Sequence, residues 1–150
     1  MLSIAVPSAI LYDALVPAEL KKNAYEPLLR LLEEMPKFSI FSIILLDPLL
    51  ETFLLIGALK LSAYTTRFLK PSNAKDWIPI LITALGFATL HGIANLRVLM
   101  IFPIGVFLTK AIVDWRNWHS LRMGFLASFI LHALNNFTVI ILYYVGRHFT

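Results

Sequence analysis

Phe38–Tyr64 reads FSIFSIILLDPLLETFLLIGALKLSAY, an apolar run that carries two acids, Asp47 and Glu51. As an α-helix rising 1.5 Å per residue it is about 40 Å long. That exceeds the roughly 30 Å hydrocarbon core of a bilayer, so the segment predicts a crossing that tilts or bends, with Pro48 as the bend. Working outward, the stretch Thr65 to Asp76 holds Arg67, Lys70, Pro71, Ser72, Asn73 and Lys75, a set no lipid-buried segment tolerates. It leads to a second crossing from Trp77 to about Asn95. A tight turn with Arg97 precedes a third, Val98 to about Val113. Asp114, Arg116, Asn117, His119, Ser120 and Arg122 predict a polar loop, and Trp115 and Trp118 suit the aromatic belt of a membrane interface. The fourth crossing runs from Met123 to about Val145.

On the N-terminal side the pattern changes. Pro17–Lys37 mixes Leu20, Leu28, Leu29, Leu31 and Leu32 with Glu19, Lys21, Lys22, Glu26, Arg30, Glu33 and Glu34, which predicts an amphipathic interfacial helix interrupted near Pro27. Met1–Val16 is apolar but contains Pro7 and Asp13. It lacks a basic n-region and a small-residue cleavage pattern, so it reads as a short embedded helix or a further crossing, not a signal peptide. The expected architecture is an all-α, polytopic transmembrane bundle. Residues 1–37 form membrane-associated helices, and residues 38–150 form a core of four spanning helices.

Composition agrees: 59% of the 150 residues are hydrophobic and 15% charged, with a mean hydropathy of +0.77, which excludes an ordinary soluble globule. The absence of cysteine removes disulfides, thiolate catalysis and Cys-ligated metals. The net charge of +4 is scattered over segment ends, which fits anionic lipid head groups and not a nucleic-acid-binding stripe. Basic residues fall on both sides of the predicted crossings in similar numbers, so their count assigns no orientation.

Inside the crossings the costly residues are Asp47, Glu51, His91, His132, Asn135 and Asn136. A charged acid at the centre of a membrane helix costs on the order of 2.5 to 3.5 kcal/mol, so each should face the bundle interior and a partner. Asp47 and Glu51 are four residues apart, as are His132 and Asn136, and that spacing puts each pair on one helix face. Glu51 lies thirteen residues in from Phe38, His91 four from Asn95 and Asn136 nine from Val145. Those ends share one side of the membrane if successive crossings alternate, so the groups can converge in one cavity. A carboxylate, two imidazoles and a carboxamide there could activate water and stabilise an oxyanion. Glu51, His91 and His132 are equally a plausible zinc ligand set. For Asp47 and Asn135 taken singly, interhelical hydrogen bonding is the simpler role.

With these residues and spacings, the sequence resembles the CPBP family, the intramembrane CAAX proteases and bacteriocin-processing enzymes also called Abi. Phe87-Ala-Thr-Leu-His91 matches that family's Phe-x-x-x-His element, and His132-Ala-Leu-Asn-Asn136 its His-x-x-x-Asn element, within the string LHALNNF. Phe102-x-x-Gly105 sits where such chains carry an aromatic and a glycine. The first element is degenerate. Glu51 and Gly57 align with its first glutamate and its glycine, but Thr52 replaces the second glutamate and Ile56 the arginine.

The resemblance implies hydrolysis of a peptide bond in a lipidated or hydrophobic peptide at the bilayer. Glu51 and His91 would activate water, and His132 and Asn136 would stabilise the oxyanion. Asp47, Thr52, Phe87 and Asn135 would play supporting parts. Both a metal-free glutamate mechanism and a divalent metal such as zinc fit these residues. A catalytically weak or inactive member that binds a peptide or protein partner is the alternative that Thr52 and Ile56 suggest. A transporter or proton relay is disfavoured by the small number of crossings and the lack of an inverted repeat.

Overall fold

A computed structural model describes residues 30, 33–68, 73–91 and 98–148, and the expectations for residues 1–29 lie outside them. Arg30, Glu33 and Glu34 are helical and exposed. Met35, non-helical at φ −137° and ψ 64°, separates this stretch from the first membrane helix, because the residue before a proline is driven out of the helical region. Pro36 then opens helix α1 (Pro36–Phe41), which passes through a π-helical turn, Ser42–Leu46, into α2 (Asp47–Thr65). The remaining helices are α3 (Asn73–Leu90), α4 (Val98–Trp118) and α5 (Leu121–His148).

The π turn has a local cause. Pro48 carries no N–H, and its ring would collide with the carbonyl four residues back in a regular helix. Widening the helix just ahead of it avoids that collision, and the Asp47 N–H now reaches back five residues to the Ser42 carbonyl. The expected bend near Pro48 is therefore realised as an extra residue in one turn.

Lys37–Thr65, Val98–Trp118 and Leu121–Ile141 are each long and apolar enough to cross a bilayer, while the apolar part of α3, Trp77–Leu90, is shorter. Leu50, Phe53, Leu54, Leu61, Leu85 and Leu134 face outward, as a lipid solvent demands and water would not. The chain is an all-α, multi-pass integral membrane protein. Several boundaries differ from the expectation. Residues 73–76, expected in a loop, form the first turn of α3, and Arg122, also expected in a loop, lies in the first turn of α5. Asp114, Arg116 and Asn117 are not loop but the last turns of α4, where Lys110 pairs with Asp114 one turn away and Arg116 complements the carbonyl end of the helix. Only His119 and Ser120 connect α4 to α5.

The core is a seam between helices. Pro48, Thr52, Leu55, Leu59 and Ser62 form the buried stripe of α2 at three- and four-residue spacing. Leu55 and Leu59 pack with Phe87 and Ala88 of α3 and with Ile101, Leu108 and Ile112 of α4. Ser62 accepts a hydrogen bond from Thr83 (3.3 Å), joining α2 to α3. Two glycines set how closely the helices meet. A Cβ at Gly105 would lie 3.1 Å from the Phe87 ring and 3.2 Å from the Ala84 carbonyl, and one at Gly124 would lie 2.6 Å from the Ile112 carbonyl.

Candidate active site

His91 stands where α3 ends, its N–H bonded to the Ala88 carbonyl (3.2 Å). Its Nδ1 lies 2.8 Å from the carbonyl of Phe87, one turn back. A carbonyl only accepts, so Nδ1 carries the proton. The Phe87 ring, 7% exposed, tilts against the His91 ring at 4.3 Å and meets His132 edge-on at 5.9 Å. The Phe-x-x-x-His spacing thus gives His91 both a carbonyl that fixes its tautomer and an aromatic wall that fixes its plane. Gly105 lets α4 press on that wall from behind.

Glu51 of α2 bridges the two imidazoles. Its Oε1 is hydrogen-bonded to His91 Nε2 (3.1 Å), and its Oε2 lies 3.2 Å from Nε2 of His132 on α5, within ion-pair range but outside hydrogen-bond geometry. Three helices therefore bring one carboxylate and two ring nitrogens into direct contact. With Nδ1 already protonated, the His91–Glu51 contact needs one more proton. It sits either on Nε2, as an imidazolium facing a carboxylate, or on Oε1, as a carboxylic acid facing a neutral ring. In both cases the pair holds a single mobile proton. The Glu51 and His91 side chains are about a quarter exposed, at 24% and 27%, whereas His132 is buried.

Asn136 lies one turn beyond His132 on α5. Its Nδ2 donates to the Ile43 carbonyl (2.8 Å), and its Oδ1 accepts a long contact from Asn135 Nδ2 (3.5 Å). The Ile43 carbonyl needs this donor. In a regular helix its partner would be the Asp47 N–H, which is committed to Ser42. In a π turn it would be the N–H that Pro48 lacks. One Nδ2 hydrogen is thereby used, and Asn135 helps orient the other. The supporting residues divide similarly. Asp47 accepts from Ser42 Oγ (3.1 Å) across the π turn, so its hydrogen bond stays within its own helix and does not reach a histidine. Thr52 is fully buried, and its hydroxyl has no hydrogen-bond partner among the described residues.

Trp77, Trp115 and Trp118 are exposed at the end of the bundle opposite His91, with Tyr64 beside Arg67 (4.1 Å from its guanidinium) at the same end of α2. They mark one membrane interface. His91 is fourteen residues along from Trp77, about 21 Å at helical rise, which leaves roughly 10 Å to the other interface of a 30 Å core. By this count the cluster falls within the thickness of a hydrocarbon core, nearer the second face. A cavity of about 400 Å³ beside Trp77, Lys110 and Asp114 is at the opposite end and takes no part in it.

The donor types of Glu51, His91 and His132 would suit zinc, but among the described residues no three His, Cys, Asp or Glu side chains are arranged to hold one ion. The residues as placed do not fit a metal.

Two neighbours of the cluster escaped the sequence reading. The Ile43 carbonyl is a backbone group, signalled only by a proline five residues on. Ser128, one turn before His132, is fully buried, its hydroxyl has no hydrogen-bond partner among the described residues, and it had no signal beyond its spacing.

Searches of the curated proteins and of the solved structures found no match. A family model does match: that of the type II CAAX prenyl endopeptidase Rce1-like proteins, over residues 33–138. The matched span contains Glu51, His91, His132 and Asn136 and covers well over half of the chain, and it agrees with the motif resemblance to the CPBP proteases. The chain belongs to the type II CAAX prenyl endopeptidase Rce1-like family.

Proposed function

We propose that this protein is an intramembrane endopeptidase that cleaves a peptide bond in a lipidated or hydrophobic peptide. The observation that carries the reading is the Glu51 carboxylate bridging His91 and His132 at 3.1 and 3.2 Å, inside the membrane, from three separate helices. A buried acid in a bilayer is expensive, and a cluster of this kind is retained for chemistry more often than for stability.

In this reading the proton of the pair rests on His91 Nε2, a water enters beside the Glu51 carboxylate, and the carboxylate takes the water's proton as the oxygen adds to the scissile carbonyl. His132 Nε2–H and the second Asn136 Nδ2–H donate to the oxyanion of the tetrahedral intermediate. When the C–N bond breaks, the proton taken up by Glu51 passes to the leaving nitrogen. Water is consumed, the new carboxyl group gives its proton to the amine, and a carboxylate and an ammonium group are released with Glu51 and His91 as they began. The anchored Asn136 amide suits this work, because a donor already fixed by Ile43 needs little reorganisation as charge develops.

The test is the purified protein in detergent, assayed on a library of prenylated and hydrophobic peptides, with Glu51→Gln as the comparison. This change keeps shape and removes the proton acceptor, so kcat should fall by about 10²- to 10⁴-fold while peptide binding persists. An unchanged rate sinks the mechanism. A second reading, a family member that binds peptides without turnover, draws on Thr52. It places an uncharged, fully buried side chain where the family pattern has a second glutamate. Binding without hydrolysis across the library would favour it.

A further inference from the structure

Among the described residues, the buried side-chain atoms without a hydrogen-bond partner are Glu51 Oε2, Thr52 Oγ1, Thr109 Oγ1, Ser128 Oγ and His132 Nδ1. Three of these lie on neighbouring turns of the packed helices α4 and α5. Ser128 is four residues before His132, and helical side chains lean toward the N-terminus, so the His132 ring lies over the turn that carries Ser128. Thr109 reaches the same level from α4. Gly124 of α5 packs on the Ile112 carbonyl of the antiparallel α4, so one turn onward along α5, at Ser128, faces one turn back along α4, at Thr109. Thr109 and Ser128 are both 0% exposed, and His132 is 5% exposed.

Orphaned polar atoms at this depth are costly, and an internal water commonly satisfies about three of them. We propose that Ser128 and Thr109 hold one internal water that donates a hydrogen bond to His132 Nδ1, making both hydroxyls positioning residues for His132. The consequence is a tautomer. A donor at Nδ1 requires a lone pair there, so the neutral His132 ring carries its hydrogen on Nε2, the nitrogen facing Glu51. His91 is fixed the opposite way, since its Nδ1 donates to Phe87. Two histidines on one carboxylate are thereby differentiated: His91 donates from Nδ1 to Phe87 and shares the proton of the Glu51 pair through Nε2, whereas His132 accepts at Nδ1 and presents Nε2–H. This assignment rests on the hydrolytic reading for its purpose, but its geometry does not.

The test uses the full chain labelled with ¹⁵N-histidine in detergent micelles, above the imidazole titration range. Ring nitrogen shifts there separate the two neutral tautomers, and the His132 signals are identified by their loss in His132→Gln. Wild type should show His132 with its hydrogen on Nε2. Ser128→Ala and Thr109→Val should each raise the Nδ1–H share and lower kcat about 10- to 100-fold at unchanged KM, the range for partners that orient imidazoles at other sites. Thr109→Ser, which keeps the hydroxyl, should retain the wild-type shifts and rate. His132 protonated on Nδ1 in wild type, or ring shifts indifferent to both hydroxyl deletions, would overturn the proposal. A tautomer that follows the hydroxyls in a protein without peptidase activity would uphold the water and remove the protease. An active peptidase with an indifferent tautomer would do the reverse.

Discussion

Asn136 is assigned two tasks, and they can be separated. Asn136→Ala removes the donor to the Ile43 carbonyl (2.8 Å) and also the donor proposed for the oxyanion. A half-buried carbonyl left bare costs about 1–3 kcal/mol in proteins generally, and interhelical hydrogen bonds in membranes reach about 1.7 kcal/mol. We therefore expect a loss of about 1–2 kcal/mol in stability. The need for that donor arises from Pro48. In a Pro48→Ala background residue 48 regains its N–H, the π turn can relax, and Ile43 obtains a backbone partner. There the same Asn136→Ala change should cost less than about 0.5 kcal/mol, a coupling of about 1 kcal/mol across 93 residues of sequence. Reversible unfolding of the four proteins of this cycle in micelles measures the coupling, and peptide turnover is read on the same samples. Turnover should not follow stability. Asn136→Ala should lower kcat by about 10²- to 10³-fold in both backgrounds with KM nearly constant. Equal destabilisation with and without Pro48 would refute the account of the π turn. Recovery of kcat in the double variant would show Asn136 to be a structural staple only.

Other substitutions probe separate parts. Thr52→Glu restores a carboxylate beside Glu51 and should alter both kcat and its pH profile; if neither moves, position 52 is not the remnant of an acidic pair. Gly124→Ala should cost about 1–3 kcal/mol of stability, because its Cβ would stand 2.6 Å from a backbone carbonyl, whereas Gly57→Ala, with nothing within 4 Å, should be neutral or gain up to about 1 kcal/mol. Matched unfolding curves decide that contrast, and a tolerant Gly124 would mean that α4 and α5 are not in backbone contact there. Elemental analysis of the active protein should find no stoichiometric zinc. Zinc present in wild type and lost in both His91→Ala and His132→Ala would replace the metal-free mechanism.

Much of the site was legible in the chain because the bilayer makes polar residues conspicuous. Glu51, His91 and His132 were singled out by cost; counting residues from helix ends put Glu51, His91 and Asn136 on one side of the membrane at unequal depths, and the structure brings Glu51 and both histidines into contact. Phe87 was legible as a motif letter, but its two uses, a carbonyl for Nδ1 and a wall for both rings, needed coordinates. What sequence periodicity could not show was the path of the helix through Pro48. An inserted residue leaves no hydropathy signature, so the partner of Asn136 appeared to be a substrate atom when its resting partner is Ile43. The end of α4 was misread for a related reason. Asp114, Arg116 and Asn117 look like loop by polarity, but a helix that has passed the hydrocarbon can continue into the interface once Lys110 and Asp114 pair along it. Ser128 stayed unnoticed because a lone serine on an apolar helix is ordinary until its hydroxyl is seen to lack a partner.

The π turn also bears on how sequences of this kind should be compared. Each added residue rotates a helix by about 100°, so a single residue absorbed at Ser42–Leu46 changes which side α1 presents without turning Glu51. Phe38 and Phe41 lie outward and Ser39 inward under this arrangement. A relative with one residue fewer here could keep the half of the bundle that carries Glu51, His91 and His132 superimposable while its entry helix showed a different face to lipid. An alignment forced through this turn without a gap would match the Glu51 side correctly and misplace every position before it by one.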